Sequence, residues 1–488
     1  MRALRLRPET LIVIGGLALV AAVFLSVSSK NPPGFYRDES AISYNAYTLS
    51  QSLKDEFGGR IPLFIKSYGD YKSPLYVYLL AAVFRVTGPS THDARVVSAV
   101  VGLAAILVLY ALALAITRKR LLALAAALLA GLSPWLFEIS RLVFEVALEP
   151  VLIAGLLLVV YRASTGWRLS HSIAIGLLLA AIAYTYQAGR VLAPAFAVGL
   201  LLFFGRGRRR RLGELWAVFA ASMLPIGVYE FLHTGALTAR YHAVTFIHGG
   251  MSWPDIAWQF VKNYAKNLNL WDWLVAGDAN QRHHVPGDGS LFFVEVGLAL
   301  IGLAIVLLRR RSDPWWRFVV YALAVTPIAA SLTNQTIHSL RMIALPVLLP
   351  VLALPALEAI SGLRRPRMKA AVVGALAIAF AVEAVHWQVV FHQNGPDRLD
   401  AFEAQIHPVI EAALAHGGTI YAYRDDHTTY TDSLWFGTIA GRPRSSFDIV
   451  ERGAKLPPGA LVVGRVGECP TCTVVSENDG YEAYVTGS

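Results

Sequence analysis

"LIVIGGLALVAAVFLSVSSKNPPGFYRDESAISYNAY", residues 11–47, runs from an apolar block straight into two adjacent acids. Leu11 to Val27 carries no charged side chain and follows Arg2, Arg5 and Arg7. An uncharged apolar block of this length reads as a membrane helix. It has no small-residue cleavage site, so it is expected to be retained rather than removed as a signal peptide. Asp38 and Glu39 come next, flanked by Arg37 and by Tyr36, Tyr44 and Tyr47. Why two carboxylates stand at the mouth of the first membrane helix is the question the rest of the chain answers.

The pattern continues along the sequence. Of 488 residues, 55% are hydrophobic and only 16% charged, where a soluble protein carries about 25% charged residues. Apolar spans fall at about 11–27, 96–116, 121–137, 149–161, 171–187, 191–204, 213–230, 291–308, 318–333, 342–360 and 370–388. The expected class is a mainly α polytopic membrane protein with about eleven transmembrane helices. "PLYVYLLAAVF", 74–84, is too short to span and is expected as an interfacial helix on the outer face.

The net charge of +10 does not point to nucleic acid. The basic residues gather in short gaps between apolar blocks, as the positive-inside rule describes. The N-terminus, "TRKR" at 117–120, Arg162 with Arg168, "RGRRRR" at 206–211, "RRRSDPWWR" at 309–317 and "RRPRMK" at 364–369 form the cytoplasmic set. The loops 28–95 and 231–290 and the tail from about 389 then lie outside, with the N-terminus inside. This divides the chain into a membrane domain, 1–388, and an extracytoplasmic domain, 389–488. The tail alternates a helical stretch, 397–416, with strand-like "TIYAY", "ALVVG", "TCTVV" and "YEAYV", which predicts a small α/β domain. Its Cys469 and Cys472 are too few for a zinc site, which takes four ligands, and read as a local disulfide in an oxidising compartment.

Ionisable residues are nearly absent from the middle of the spans. A coupled transporter or flippase keeps charges there, so the chemistry is expected at the outer surface. Candidates are Asp38, Glu39, Asp70, Lys72 and Arg95 in the first loop and Glu138, Arg141, Glu145 and Glu149 in the second. "YTYQAGR", 184–190, adds Tyr186 and Arg190, at a junction of two spans with almost no loop. Loop 231–290 adds Arg240, His242, His248, Lys262 and "DANQRHH", whose histidines show no metal-ligand spacing. "TNQTIHSLR", 333–341, adds His338 and Arg341. Arginine forks bind phosphate and a carboxylate deprotonates a hydroxyl, so the set suits a substrate with a phosphate head and a lipid tail. Each residue also has a plainer reading: acids cap helix ends, and Lys72 or Arg95 anchors a helix at the headgroups.

The first helix, the outward Asp-Glu, "DEFGGRIPLF" (55–64), "GDYKSPLYVYL" (69–79) and "DARVVSAVVGL" (93–103) together resemble membrane glycosyltransferases of the GT-C fold. The nearest resemblance is to bacterial protein O-mannosyltransferases and lipid A aminoarabinose transferases. It covers roughly residues 8 to 360 and not the tail.

It implies Asp38 as catalytic base with Glu39 beside it, and Lys72, Arg190 and Arg341 as donor-phosphate contacts. Glu145 is implied as a substrate contact, and the outer-face residues Tyr44, Arg95, Tyr186 and His338 are expected to join it. Glu149 is an alternative to Glu145. The Asp70-Tyr71-Lys72-Ser73-Pro74 run departs from the Glu-Lys-Pro of the aminoarabinose enzymes. No cofactor is assigned; a divalent ion, if used, falls to Glu39 and Glu145. The implied activity is inverting transfer of a sugar from a polyprenyl-phosphate donor to a hydroxyl of a lipid, glycan or protein acceptor, outside a bacterial inner membrane. No nucleotide-sugar pool exists there, so the donor must already be membrane-borne. The alternatives are a lipid-linked glycan flippase or exporter, a glycan ligase, and a non-catalytic scaffold.

Overall fold

A computed structural model of the chain describes residues 7–27, 30–205 and 207–487. Arg2, Arg5 and Arg206, members of the basic clusters, lie outside the described residues. All eleven apolar runs are helical. Among the described residues, five helices are long and apolar enough to cross a membrane: Pro8–Leu25, Thr91–Thr117, Glu145–Thr165, Arg209–Leu232 and Pro366–Asp397. Large apolar side chains such as Leu202, Leu224, Leu308 and Ile378 are exposed, as lipid-facing residues must be.

Other runs are interrupted, and proline is often the reason, because it has no N–H and disfavours helix in the residue before it. The expected span 121–137 ends as helix Arg120–Leu132, and Pro134 opens the short helix Pro134–Ile139. The expected span 318–333 divides at Thr326–Pro327 into Pro314–Val325 and Ile328–Ser331.

The chain forms two compact units. The first holds the residues up to Ser26, Ser98–Arg141 and Glu145–Phe391. Helices within it approach closely where side chains vanish. A Cβ on Gly302, in Phe293–Arg309, would lie 1.7 Å from the carbonyl oxygen of Leu352, in Leu345–Ser361. Backbone contact through small residues is the usual packing of helices in lipid.

The second unit combines Val27–Val97, Leu142–Phe144 and His392–Ser488. The first loop and the tail therefore share a core. The first loop supplies helix Arg37–Ser52, a hairpin of β1 (Ile65–Ser67) and β2 (Asp70–Lys72), and helix Pro74–Thr87, where the interfacial helix is expected.

The tail supplies helix Ile406–His416, β3 (Ile420–Tyr423), helix His427–Ile439, β4 (Phe447–Val450), β5 (Leu461–Arg465), β6 (Thr473–Asn478) and β7 (Tyr481–Val485). The sheet order is β4-β3-β5-β7-β6; β3 runs parallel to β4 and β5, and β7 antiparallel to β5 and β6. All four strand-like stretches are strands. β4 and helix His427–Ile439 are additional. Cys469 and Cys472 are joined by a disulfide in the β5–β6 connection.

Trp435 holds the second unit together. Its buried ring stacks on Phe35 at 5.9 Å and on Phe84 at 5.7 Å. Gly34 makes the close approach possible. Its φ is +64°, and a Cβ there would meet the Phe402 carbonyl oxygen at 2.7 Å.

Candidate functional site

Helix Arg37–Ser52 begins with a capping box: the Tyr36 N–H donates to Glu39 Oε2 at 3.1 Å. Acids in a first turn also suit the positive end of the helix dipole. Successive helical residues point about 100° apart, so the two acids part company. Glu39 faces inward and is fully buried. It accepts from Arg95 Nη2 at 3.1 Å, from Arg95 Nε at 3.3 Å and from the Val143 N–H at 3.0 Å. Expected as a second catalytic or metal-holding acid, Glu39 has its oxygens engaged instead by a guanidinium and two backbone N–H groups. Arg95, expected at substrate, is spent on Glu39 and on the carbonyls of Pro32 and Gly34.

Asp38 faces the other way, with 27% of its side chain exposed. Lys72 Nζ donates to its Oδ1 at 2.5 Å and lies 3.7 Å from Asp70 Oδ2. The Tyr68 hydroxyl donates to the same Asp38 oxygen. The hairpin sets this up: Ser67 pairs with Asp70 across a two-residue Tyr68-Gly69 turn, with φ of +80° at Gly69. The His427 ring packs on Tyr68 at 4.9 Å between centroids. Burial and the positive charge of Arg37 hold the His427 imidazole below its usual range. Arg37 is bound to Glu403 Oε1 at 2.7 Å. Tyr44 is buried in the same unit.

A separate group forms within the first unit. Tyr186, Gln187, Arg190, Thr238, Arg240, Tyr241, Thr333 and Arg341 line a cavity of about 250 Å³. Arg190 Nη1 donates to the Leu237 carbonyl at 3.0 Å, and Arg341 Nη1 to Thr333 Oγ1 at 2.7 Å. Among the described residues, no carboxylate lies within ion-pair distance of Arg240 or Arg341. Two guanidinium groups with no carboxylate in ion-pair range form an anion-binding surface. Glu145 opens a short 3-10 helix and is half-buried. Glu149 is fully buried, with Oε1 2.7 Å from where a Gly189 Cβ would stand. His338 lies outside the cavity lining, beside Asp278 and His283.

Residues 71–229 match the family model described as dolichyl-phosphate-mannose-protein mannosyltransferase. Two solved structures cover 98% of this chain and 98% of their own. ArnT from Cupriavidus metallidurans bound to undecaprenyl phosphate is 13% identical with a TM-score of 0.61. The same protein in the apo state is 14% identical with a TM-score of 0.63. This chain has the GT-C fold. AglB from Archaeoglobus fulgidus, an archaeal oligosaccharyltransferase in complex with an inhibitory peptide and a dolichol-phosphate, is 14% identical over 89% of this chain and 64% of its own, with a TM-score of 0.53. Curated protein sequences give no match. The GT-C likeness read from the first loop therefore extends through the tail. Tyr68 and His427 are the added candidates, and Arg240, a candidate from the sequence, lines the cavity. Arg240 stands out as a basic residue in an outer loop; nothing in the sequence marks Tyr68 or His427.

Proposed function

We propose that this GT-C glycosyltransferase moves a sugar from a polyprenyl-phosphate donor to an acceptor hydroxyl, on the extracytoplasmic face of a bacterial inner membrane and with inversion. The observation that carries the reading is Asp38, half-exposed and held by Lys72 and Tyr68, while its neighbour Glu39 is consumed by the fold. In the reaction, Asp38 takes the proton of the acceptor hydroxyl as that oxygen attacks the anomeric carbon. The bond from that carbon to the phosphate oxygen breaks, and its electron pair leaves with the lipid phosphate. Arg190, Arg240 and Arg341 stabilise the charge gathering there. Lys72 offsets the Asp38 charge and is a further phosphate contact. Tyr186 lines the same cavity as the arginines.

Reconstitution with synthetic polyprenyl-phosphate sugars and a hydroxyl acceptor tests this. The expected result is release of the lipid phosphate with an inverted anomeric centre in the product, read by NMR. A retained configuration would remove the single-displacement role from Asp38. No release with any such donor, from folded protein, would overturn the donor class.

A further inference from the structure

Asp278, His283 and His338 each bring one donor atom to a common point, all within 4.8 Å of one another, and all three side chains are buried. They come from two loops far apart in sequence. Asp278 Oδ1 accepts from the Asn280 N–H at 2.9 Å, and Oδ2 accepts from the Ser339 N–H at 2.8 Å and faces His283 Nδ1 at 3.1 Å. The two imidazole rings are 4.9 Å apart. His338 Nδ1 is buried and has no hydrogen-bond partner.

Two electrostatic problems meet here. A buried carboxylate needs a cation, and among the described residues no lysine or arginine lies within ion-pair distance of Asp278. A buried ring nitrogen without a partner is costly as well.

We propose that Asp278, His283 and His338 form a binding site for a divalent transition-metal ion of the zinc class. Two imidazole nitrogens and one carboxylate oxygen are the donor set such an ion takes. Ligand atoms around tetrahedral zinc stand about 3.3 Å apart, which small side-chain rotations reach from the observed spacing. One dication satisfies the carboxylate and the orphan nitrogen together, and water fills the fourth position. The ion ties loop 277–292 to the segment that carries Arg341. That segment is also held by Trp135, whose Nε1 donates to the Ser339 carbonyl at 3.2 Å. The role is structural, and it stands apart from the transferase reading because its readouts are metal content and stability.

The test uses full-length protein in detergent, purified without a histidine tag and given zinc alone. Elemental analysis is expected to find about one zinc per chain. His338→Gln and Asp278→Asn are each expected to lose most of it, and chelation of the wild type is expected to lower its Tm while leaving the Tm of His338→Gln unchanged. Cobalt added to stripped wild type is expected to give a tetrahedral visible spectrum that His338→Gln lacks. Zinc retained in full by both variants, or a wild type that binds neither metal and whose Tm ignores chelator, would overturn the proposal.

Discussion

Lys72 Nζ lies 2.5 Å from Oδ1 of Asp38, and the hairpin that delivers Lys72 delivers Tyr68 to the same oxygen. The acid is thus positioned by the first loop itself. Asp38→Asn keeps the shape and most of the hydrogen bonding but removes the basic oxygen. Turnover is expected to fall by about two to four orders of magnitude, the usual worth of a positioned general base. Donor affinity is expected to change little. A folded Asp38→Asn enzyme with near-normal lipid-phosphate release would move the base elsewhere.

Glu39→Gln is expected to behave differently. It breaks a fully buried ion pair and leaves the Arg95 guanidinium uncompensated. Removing one partner of such a pair costs about 3–5 kcal/mol. The loss should therefore appear in thermal unfolding, before any question of turnover. A Glu39→Gln protein with wild-type Tm but no activity would make Glu39 a participant in the chemistry.

Arg341→Ala tests the cavity. Losing one charge-assisted contact to a phosphate costs about 1.5–3 kcal/mol, roughly ten- to hundredfold in Kd. Binding of a polyprenyl phosphate, measured by tryptophan quenching or calorimetry, should weaken accordingly, and Arg240→Ala should weaken it less because Arg240 is exposed. Unchanged Kd in both variants would leave the cavity without its assigned ligand.

The eleven apolar runs and the four tail strands are legible because apolar block length and strand composition are local properties. Which acid of Asp38-Glu39 faces out is set by helix phase, and that phase follows from the Tyr36–Glu39 capping box. A glutamate three residues into a helix is a readable signal. It stays ambiguous without a Ser or Thr at the cap. The shared core of first loop and tail is not readable at all: Arg37 meets Glu403, and Phe35 meets Trp435, across hundreds of residues. Helix His427–Ile439 is hidden by its threonines and made by its cap, since Asp426 accepts from the Thr428 and Thr429 N–H groups.

Two buried groups of the second unit oppose one another in pH dependence. Burial raises Glu56 to about 7, so the stability it contributes is complete below the unfolded value near 4.5 and is lost as pH rises through about 7. Burial and Arg95 lower His407 to about 4, so its contribution is complete above the unfolded value near 6.5 and is lost as pH falls through about 4. The slopes oppose each other between about pH 4.5 and 6.5. Other buried carboxyls add slopes of their own, so each variant is read as its difference from wild type in that window. Glu56→Gln removes one slope, and its Tm relative to wild type should rise with pH there, whereas that of His407→Gln should fall. Parallel Tm profiles for all three proteins would refute the assignment.

His427 links the tail to the acid. It stands at the start of helix His427–Ile439, its ring packs on Tyr68, and Tyr68 donates to Asp38. Its ring packs on Tyr68 rather than on a reacting atom, so its part is positioning. His427→Ala removes the ring that fixes Tyr68. The expected effect is a fall in kcat of about tenfold, the scale of one lost aromatic pair, with donor Kd unchanged and little change in Tm because the side chain is only half-buried. His427→Phe restores a stacking ring without a titratable nitrogen and should recover most of the kcat. Recovery by phenylalanine separates stacking from proton transfer. A variant that fails with phenylalanine as badly as with alanine would show that the imidazole itself is needed. No loss in either variant would disconnect the tail from the chemistry at Asp38.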